Sequence, residues 1–279
     1  MRPLFLSAVA LAFFAAPARA ETFDIPLDMS GPRPAVSISI NGQPAELWTF
    51  DTGAGGTIMN IDRARALGLP EEQPVQIGSP AGGTPQQGFL TTVASLSIGG
   101  HAMPPTHVVA APATLPNRTG VLSPNAFAGE LVTFDFAHNR VRIADKTAAN
   151  TPQGAAIPYG DTGRGHRLPS IPVALGGQTW SAHIDTGAPG GIHFPYALAS
   201  SLPLAAAPVQ TGVAHFVDGD HARYHATLNG RLQVGPLTLD NPEIDFIDGL
   251  PLVNVGMGLL SRMTITVDPA AEQTWVVAN

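Results

Sequence analysis

With 279 residues, no cysteine and 21 acidic against 14 basic side chains, the chain carries a net charge of −7 at pH 7. The missing thiols exclude a disulfide scaffold, a thiol enzyme and a cysteine-linked lipid anchor. A single lysine, Lys146, and no basic cluster exclude the electrostatic footprint of a nucleic-acid or anionic-membrane binder. The 30 glycines and 27 prolines break the apolar stretches into short runs, so a mostly β protein is expected.

Residues 1–20 read as an export signal. Arg2 gives a positive start, residues 4–16 are apolar, and Ala18-Arg19-Ala20 fits a small-x-small cleavage site. That apolar run is shorter than the roughly 20 residues a spanning helix needs. The expectation is an exported protein, periplasmic or extracellular, processed near Ala20 and without a membrane span.

Beyond residue 20 the chain reads as one unit written twice. The first unit opens with strands over 23–27 and 35–40, turns at Asn41-Gly42, and returns over 45–51. The second has 157–159 and 171–175, turns at Gly176-Gly177, and returns into Asp185. A short helix follows in each: 61–67, capped by Asn60 and stopped by Gly68 and Pro70, and 195–202, stopped by Pro203. Matched landmarks from Gly42/Gly177 to Asp135/Asp268 keep an offset of 133 to 136 residues. The spacing predicts two lobes, 21–147 and 157–279, joined by a linker over 148–156.

Both return strands drive into the same turn. Phe50-Asp51-Thr52-Gly53-Ala54 recurs as Ile184-Asp185-Thr186-Gly187-Ala188, 134 residues later. An acid at the end of a buried strand is costly to desolvate, so two in matching positions suggest carboxylates that face each other. Two carboxyl groups about 3 Å apart cannot both ionise and so share a proton. One can then take a proton from water while the other donates to a carbonyl oxygen. No metal or other cofactor is called for. Gly53 and Gly187 let the backbone turn sharply against the acids.

With these residues the chain resembles an aspartic peptidase of the retropepsin/pepsin type, with both halves of the site in one polypeptide. The resemblance implies an all-β fold of two pseudo-symmetric lobes with the cleft between them. It implies a monomer that hydrolyses an extended peptide or protein substrate, with Asp51 and Asp185 catalytic. It gives Thr52 and Thr186 the role of locking the two loops across the interface, with Ala54 and Ala188 completing them. The family's second signature, two apolar residues and a glycine behind each loop, is resembled by Asn254-Val255-Gly256 and, with Ser in place of Gly, by Val121-Leu122-Ser123. Ser123, together with Gly55 and Pro189 where Ser or Thr is frequent, motivates an alternative: a catalytically weak peptide-binding protein of the same fold. Pepsin-like relatives often carry a hydroxyl residue after Asp-Thr-Gly. Ala54 and Ala188 lack it, which predicts a pH profile shifted toward neutrality.

A third triplet, Asp161-Thr162-Gly163, has no long strand before it and reads as an ordinary turn. His215, Asp218, Asp220, His221 and His225 fall within eleven residues and offer a second alternative, an exported metal-binding protein. They sit, however, around the tip of a hairpin that matches the family's flap, where such residues are usually solvated. Phe89, Phe216 and Tyr224 are the aromatics nearest the expected flaps, and His183 shares a strand face with Asp185.

Overall fold

The computed structural model describes residues 22–79, 82–112, 118–163, 166–216 and 219–279, so the export signal read over residues 1–20 lies outside the described residues. Among the described residues two nine-stranded sheets, one six-stranded sheet and a two-stranded ribbon make an all-β fold. Each nine-stranded sheet draws on one half of the chain, and the strand order of the two is the same when positions are offset by the repeat. The duplication read from spacing is therefore a duplication of topology. Among the described residues no helix is long and apolar enough to cross a membrane.

Local chemistry sets each hairpin. In the second half Ser170–Leu175 pairs with Gln178–Ile184, and Gly176-Gly177 closes the turn with φ of +57° and +87°. In the first half Asn41 and Gly42 also take positive φ, 50° and 71°, but pairing begins only at Ile38↔Glu46. The two-residue connection expected there is longer because Pro44 has no N–H to extend the ladder. The first helix, Ile61–Ala66, is capped as read: the Asn60 side chain accepts from the N–H groups of Asp62 and Arg63, both at 3.0 Å. Its counterpart, Tyr196–Ser201, is a 3-10 helix; Pro195 stands at its cap and offers no side-chain acceptor.

The six-stranded sheet joins the halves. Its order is Thr22–Pro26, Arg140–Asp145, Glu130–Asp135, Met263–Asp268, Gln273–Ala278, Ile157–Pro158: three strands from each half, arranged about a central pair. At the junction Val132 pairs with Val267 and Phe134 with Ile265, all fully buried, and the Thr133 and Thr266 hydroxyls meet at 2.8 Å. Burial of these side chains, at roughly 1.5–3 kcal/mol each, makes the junction part of the core rather than a flexible seam. Lys146, the lone lysine, forms an ion pair with the buried Asp268 across it.

Candidate active site

Each aspartate sits one residue past a buried strand, Glu46–Phe50 or Gln178–Ile184. Trp48 and Phe50 in one, Ala182 and Ile184 in the other, are almost fully buried and fix the strand ends. A short parallel strand supports each from behind. Gly120–Leu122 places Val121 opposite Thr49 and Leu122 opposite Phe50; Asn254–Val255 places Asn254 opposite His183 and Val255 opposite Ile184. The N–H of Asp51 donates to the Leu122 carbonyl and that of Asp185 to the Val255 carbonyl, both at 2.9 Å.

Two threonines hold the loops together across the lobes. Thr52 N–H donates to Thr186 Oγ1 at 3.0 Å, and Thr186 N–H to Thr52 Oγ1 at 3.1 Å. Each hydroxyl then donates across to the opposite strand end, Thr52 to the Ile184 carbonyl and Thr186 to the Phe50 carbonyl, both at 2.6 Å. All four bonds are buried, where an unmade partner costs about 1–3 kcal/mol. Arg33, which the sequence reading passed over, adds a third tie: its Nε donates to the Gly187 carbonyl at 2.5 Å. Nothing local marks Arg33, because its partner lies 154 residues away.

Within this frame the two carboxyl groups lie close enough to share a hydrogen bond. Asp51 Oδ1 accepts the Gly53 N–H at 2.7 Å and, from the other lobe, the Gly187 N–H at 3.1 Å. A methyl group added at Gly53 would lie 2.9 Å from Asp185 Oδ1, and one at Gly187 would collide with the Asp51 carboxylate. Glycine here is a requirement of space. Burial, and then the charge of Asp185, push Asp51 well above the ordinary carboxylate range, and the two N–H donors only partly oppose this. Asp185 is contacted differently: Asn254 Nδ2 donates to its Oδ2 at 2.6 Å. Ala54 and Ala188 offer no hydroxyl to the acids, but one of the two acids has a different side-chain donor. An amide from the supporting strand takes the place a hydroxyl would fill.

The serine at 123 has a structural reason. In the second lobe the Met257 N–H donates to the Ala188 carbonyl and the Gly258 N–H to the Gly190 carbonyl, both at 2.8 Å. A side chain on Gly256 would lie 2.7 Å from the Ala188 oxygen. In the first lobe the residue after the signature is Pro124, which has no N–H. Ser123 Oγ instead donates to the Ala54 carbonyl at 2.7 Å, and Asn125 Nδ2 to the Gly55 carbonyl at 3.0 Å. Side chains thus do in one lobe what backbone amides do in the other. Ser123→Ala is accordingly expected to lower stability by about 1–2 kcal/mol through loss of this bond, read as a shift in urea midpoint without a change in slope.

Other sequence readings find different places. Asp161 lies on the two-stranded ribbon, and its Oδ1 accepts the Gly163 N–H at 2.7 Å in an exposed turn. Phe89 and Tyr224 turn out to be equivalent positions, paired with Ala110 and Phe246 in matching strands. Neither is a flap aromatic: Phe89 is 4% exposed beneath Arg65, and Tyr224 stacks on Tyr196 at 4.2 Å. Alternation places both side chains on the helix-facing side of their sheets. Phe216 lies near the tip of the second hairpin, edge-on to His221 at 5.2 Å. Asp218 lies outside the described residues. Of the remaining histidine cluster, His215 meets Asp220 at 2.5 Å, His221 the Asp248 carbonyl at 3.1 Å and His225 the Asp245 carboxylate at 3.0 Å. Among the described residues no three acidic or histidine side chains converge as metal ligands. His183, opposite Asn254, is buried and held in its neutral form chiefly by desolvation.

A family model described as aspartyl protease matches the chain over residues 36–125 and 171–268, one match for each nine-stranded sheet. No curated protein matches it.

Proposed function

The chain belongs to the aspartyl protease family, and from that premise we propose that it is an endopeptidase using Asp51 and Asp185 as its acid–base pair. The observation that carries this reading is the shared site itself: two carboxyl groups, one from each lobe, in hydrogen-bonding reach and locked there by Thr52 and Thr186. Asp51, whose acidity burial weakens, holds the shared proton and donates it to the scissile carbonyl oxygen. Asp185, oriented by Asn254, takes a proton from the attacking water. The Ser123 departure, which motivated a non-catalytic reading, leaves the loop as well tethered as its counterpart. An extended peptide lies across the dyad as an added strand beneath the hairpins Gln73–Val93 and Val209–Thr227 (tips outside the described residues).

The pH dependence has a defined sign. The proton on Asp51 must be present for turnover, and its release is displaced upward from the ordinary aspartate value of 3.8. Activity should therefore persist above pH 3.8 and fall only as pH rises through the raised value. A profile of kcat/KM against pH checks this; an alkaline limb near 4 would contradict it.

Assembly and location belong to the same proposal. Because both acids come from one chain, the protein is read as an active monomer, exported through its leader-like segment. Specific activity on a fluorogenic peptide should stay constant on dilution to nanomolar concentration. A loss proportional to dilution would show that the site needs a second chain.

A further inference from the structure

The two walls of the cleft are chemically unlike. In each lobe a row of directly paired residues crosses five strands from the catalytic strand outward, and paired residues share one face of a sheet. In the first lobe the row is Thr49, Val121, Ile58, Val109, Leu90. In the second it is His183, Asn254, His193, Asp245, His225. The face is the one bearing the dyad, because Asn254 bonds Asp185 from it. The alternate residues, such as Met59 and Ala110 or Phe194 and Phe246, are buried on the opposite side. Ile58, Val109 and Leu90 are thus matched, position for position, by His193, Asp245 and His225.

The polar row is partly self-satisfied. His225 Nδ1 meets Asp245 at 3.0 Å, and His193 Nε2 lies 3.9 Å from the same carboxylate. Burial holds His193 neutral. Three buried atoms on this wall are left without a partner: the acceptor Asn254 Oδ1, the donor Arg223 Nε, two residues from His225 and on its face, and His183 Nε2, which gives or takes a hydrogen bond according to its tautomer. Buried polar atoms in native proteins are nearly always satisfied. Together they call for substrate groups that can both give and take hydrogen bonds. A cationic side chain would meet Arg223 and an anionic one Asp245, so an uncharged amide suits both.

We propose, building on the peptidase reading, that the cleft is two-faced: it takes an aliphatic side chain against Ile58, Leu90 and Val109, and an amide side chain such as Gln or Asn against Asn254, His193 and Arg223, on the other side of the scissile bond. The pseudo-twofold that relates the lobes passes between the aspartates, so an extended substrate meets one wall before the scissile bond and the other after it. The cleavage site is therefore asymmetric.

The test uses peptides of one length whose central pair is Leu-Leu, Leu-Gln, Gln-Leu, Leu-Glu or Leu-Lys. Binding is measured to the non-cleaving Asp51→Asn protein, and kcat/KM on the native protein. One of the two mixed Leu/Gln peptides should be favoured over Leu-Leu, Leu-Glu and Leu-Lys by about tenfold or more. The triple variant His193→Ile, Asp245→Val, His225→Leu writes the first lobe's row onto the second and should reverse the preference toward Leu-Leu. Arg223→Leu, a single change on the same wall, should erode the amide preference by itself, whether or not the triple variant folds. Equal or tighter binding of Leu-Leu by the native wall would overturn the proposal, as would a folded triple variant with unchanged preference. The two readings fail separately. Amide-selective binding without cleavage would sink the peptidase reading and leave this one; cleavage without side-chain asymmetry would do the reverse.

Discussion

Turnover is expected to fall by at least ~10³-fold in Asp51→Asn and equally in Asp185→Asn, because each removes one half of an acid–base pair. Asp161→Asn should leave activity unchanged, since that triplet closes an exposed turn. Loss of turnover should not reflect loss of fold. Asparagine at 51 keeps an oxygen to accept the Gly53 and Gly187 N–H groups. Its effect on stability has a sign of its own. The folded state holds the Asp51 proton more tightly than the unfolded chain, whose aspartate titrates near 3.8. That contribution is fully present below pH 3.8 and is lost as pH rises through the raised value. At neutral pH the native protein must keep a proton that the unfolded chain has already released, at a cost of about 1.4 kcal/mol for each pH unit above the unfolded value. Asp51→Asn should therefore melt above the native protein at pH 7 and close to it at pH 3. A variant that is less stable at pH 7 would mean that the fold does not raise the proton affinity of Asp51.

Thr186→Val is the second large effect. The isosteric change leaves the Thr52 N–H without its acceptor and removes the donor to the Phe50 carbonyl, both buried at the lobe interface. At about 1–3 kcal/mol for each orphaned group, the loss is of the order of 2–6 kcal/mol. For a chain of this size that lowers Tm by roughly 5–15 °C. Activity should fall more steeply than stability, because the same bonds fix the distance between Asp51 and Asp185. Thr186→Ser keeps the hydroxyl and should restore most of both. An unchanged Tm in Thr186→Val, read by calorimetry, would show that the interlobe bonds are not what holds the loops in register.

The parts of this architecture that were legible in the sequence are those written locally. Asn60 announced its helix because a cap needs only residues two and three positions on. Asp51 and Asp185 announced themselves because the whole hairpin that delivers them is repeated. What was not legible depends on distant partners. The six-stranded sheet pairs strands from the two halves, and no spacing within either half shows that Val132 will lie beside Val267. Asn254 looked like a variant of an apolar signature until its amide was placed on Asp185. Ser123 looked like a defect because the missing N–H belongs to its neighbour Pro124, and the carbonyl it serves lies 69 residues earlier. Phe89 and Tyr224 were misjudged for a simpler reason. They lie on the correct hairpins, but one position of register decides which face a strand residue takes.

The central claim, that a dyad shared between two lobes of one chain hydrolyses peptide bonds, is tested most directly by digesting a diverse peptide library with the purified protein between pH 3 and 8. Products are read by mass spectrometry, with and without a statine-type mimic of the tetrahedral intermediate. The account predicts new internal cleavages that are suppressed by the mimic and absent from matched digests with Asp51→Asn and Asp185→Asn. No cleavage at any pH, or cleavage that survives both substitutions, would contradict it.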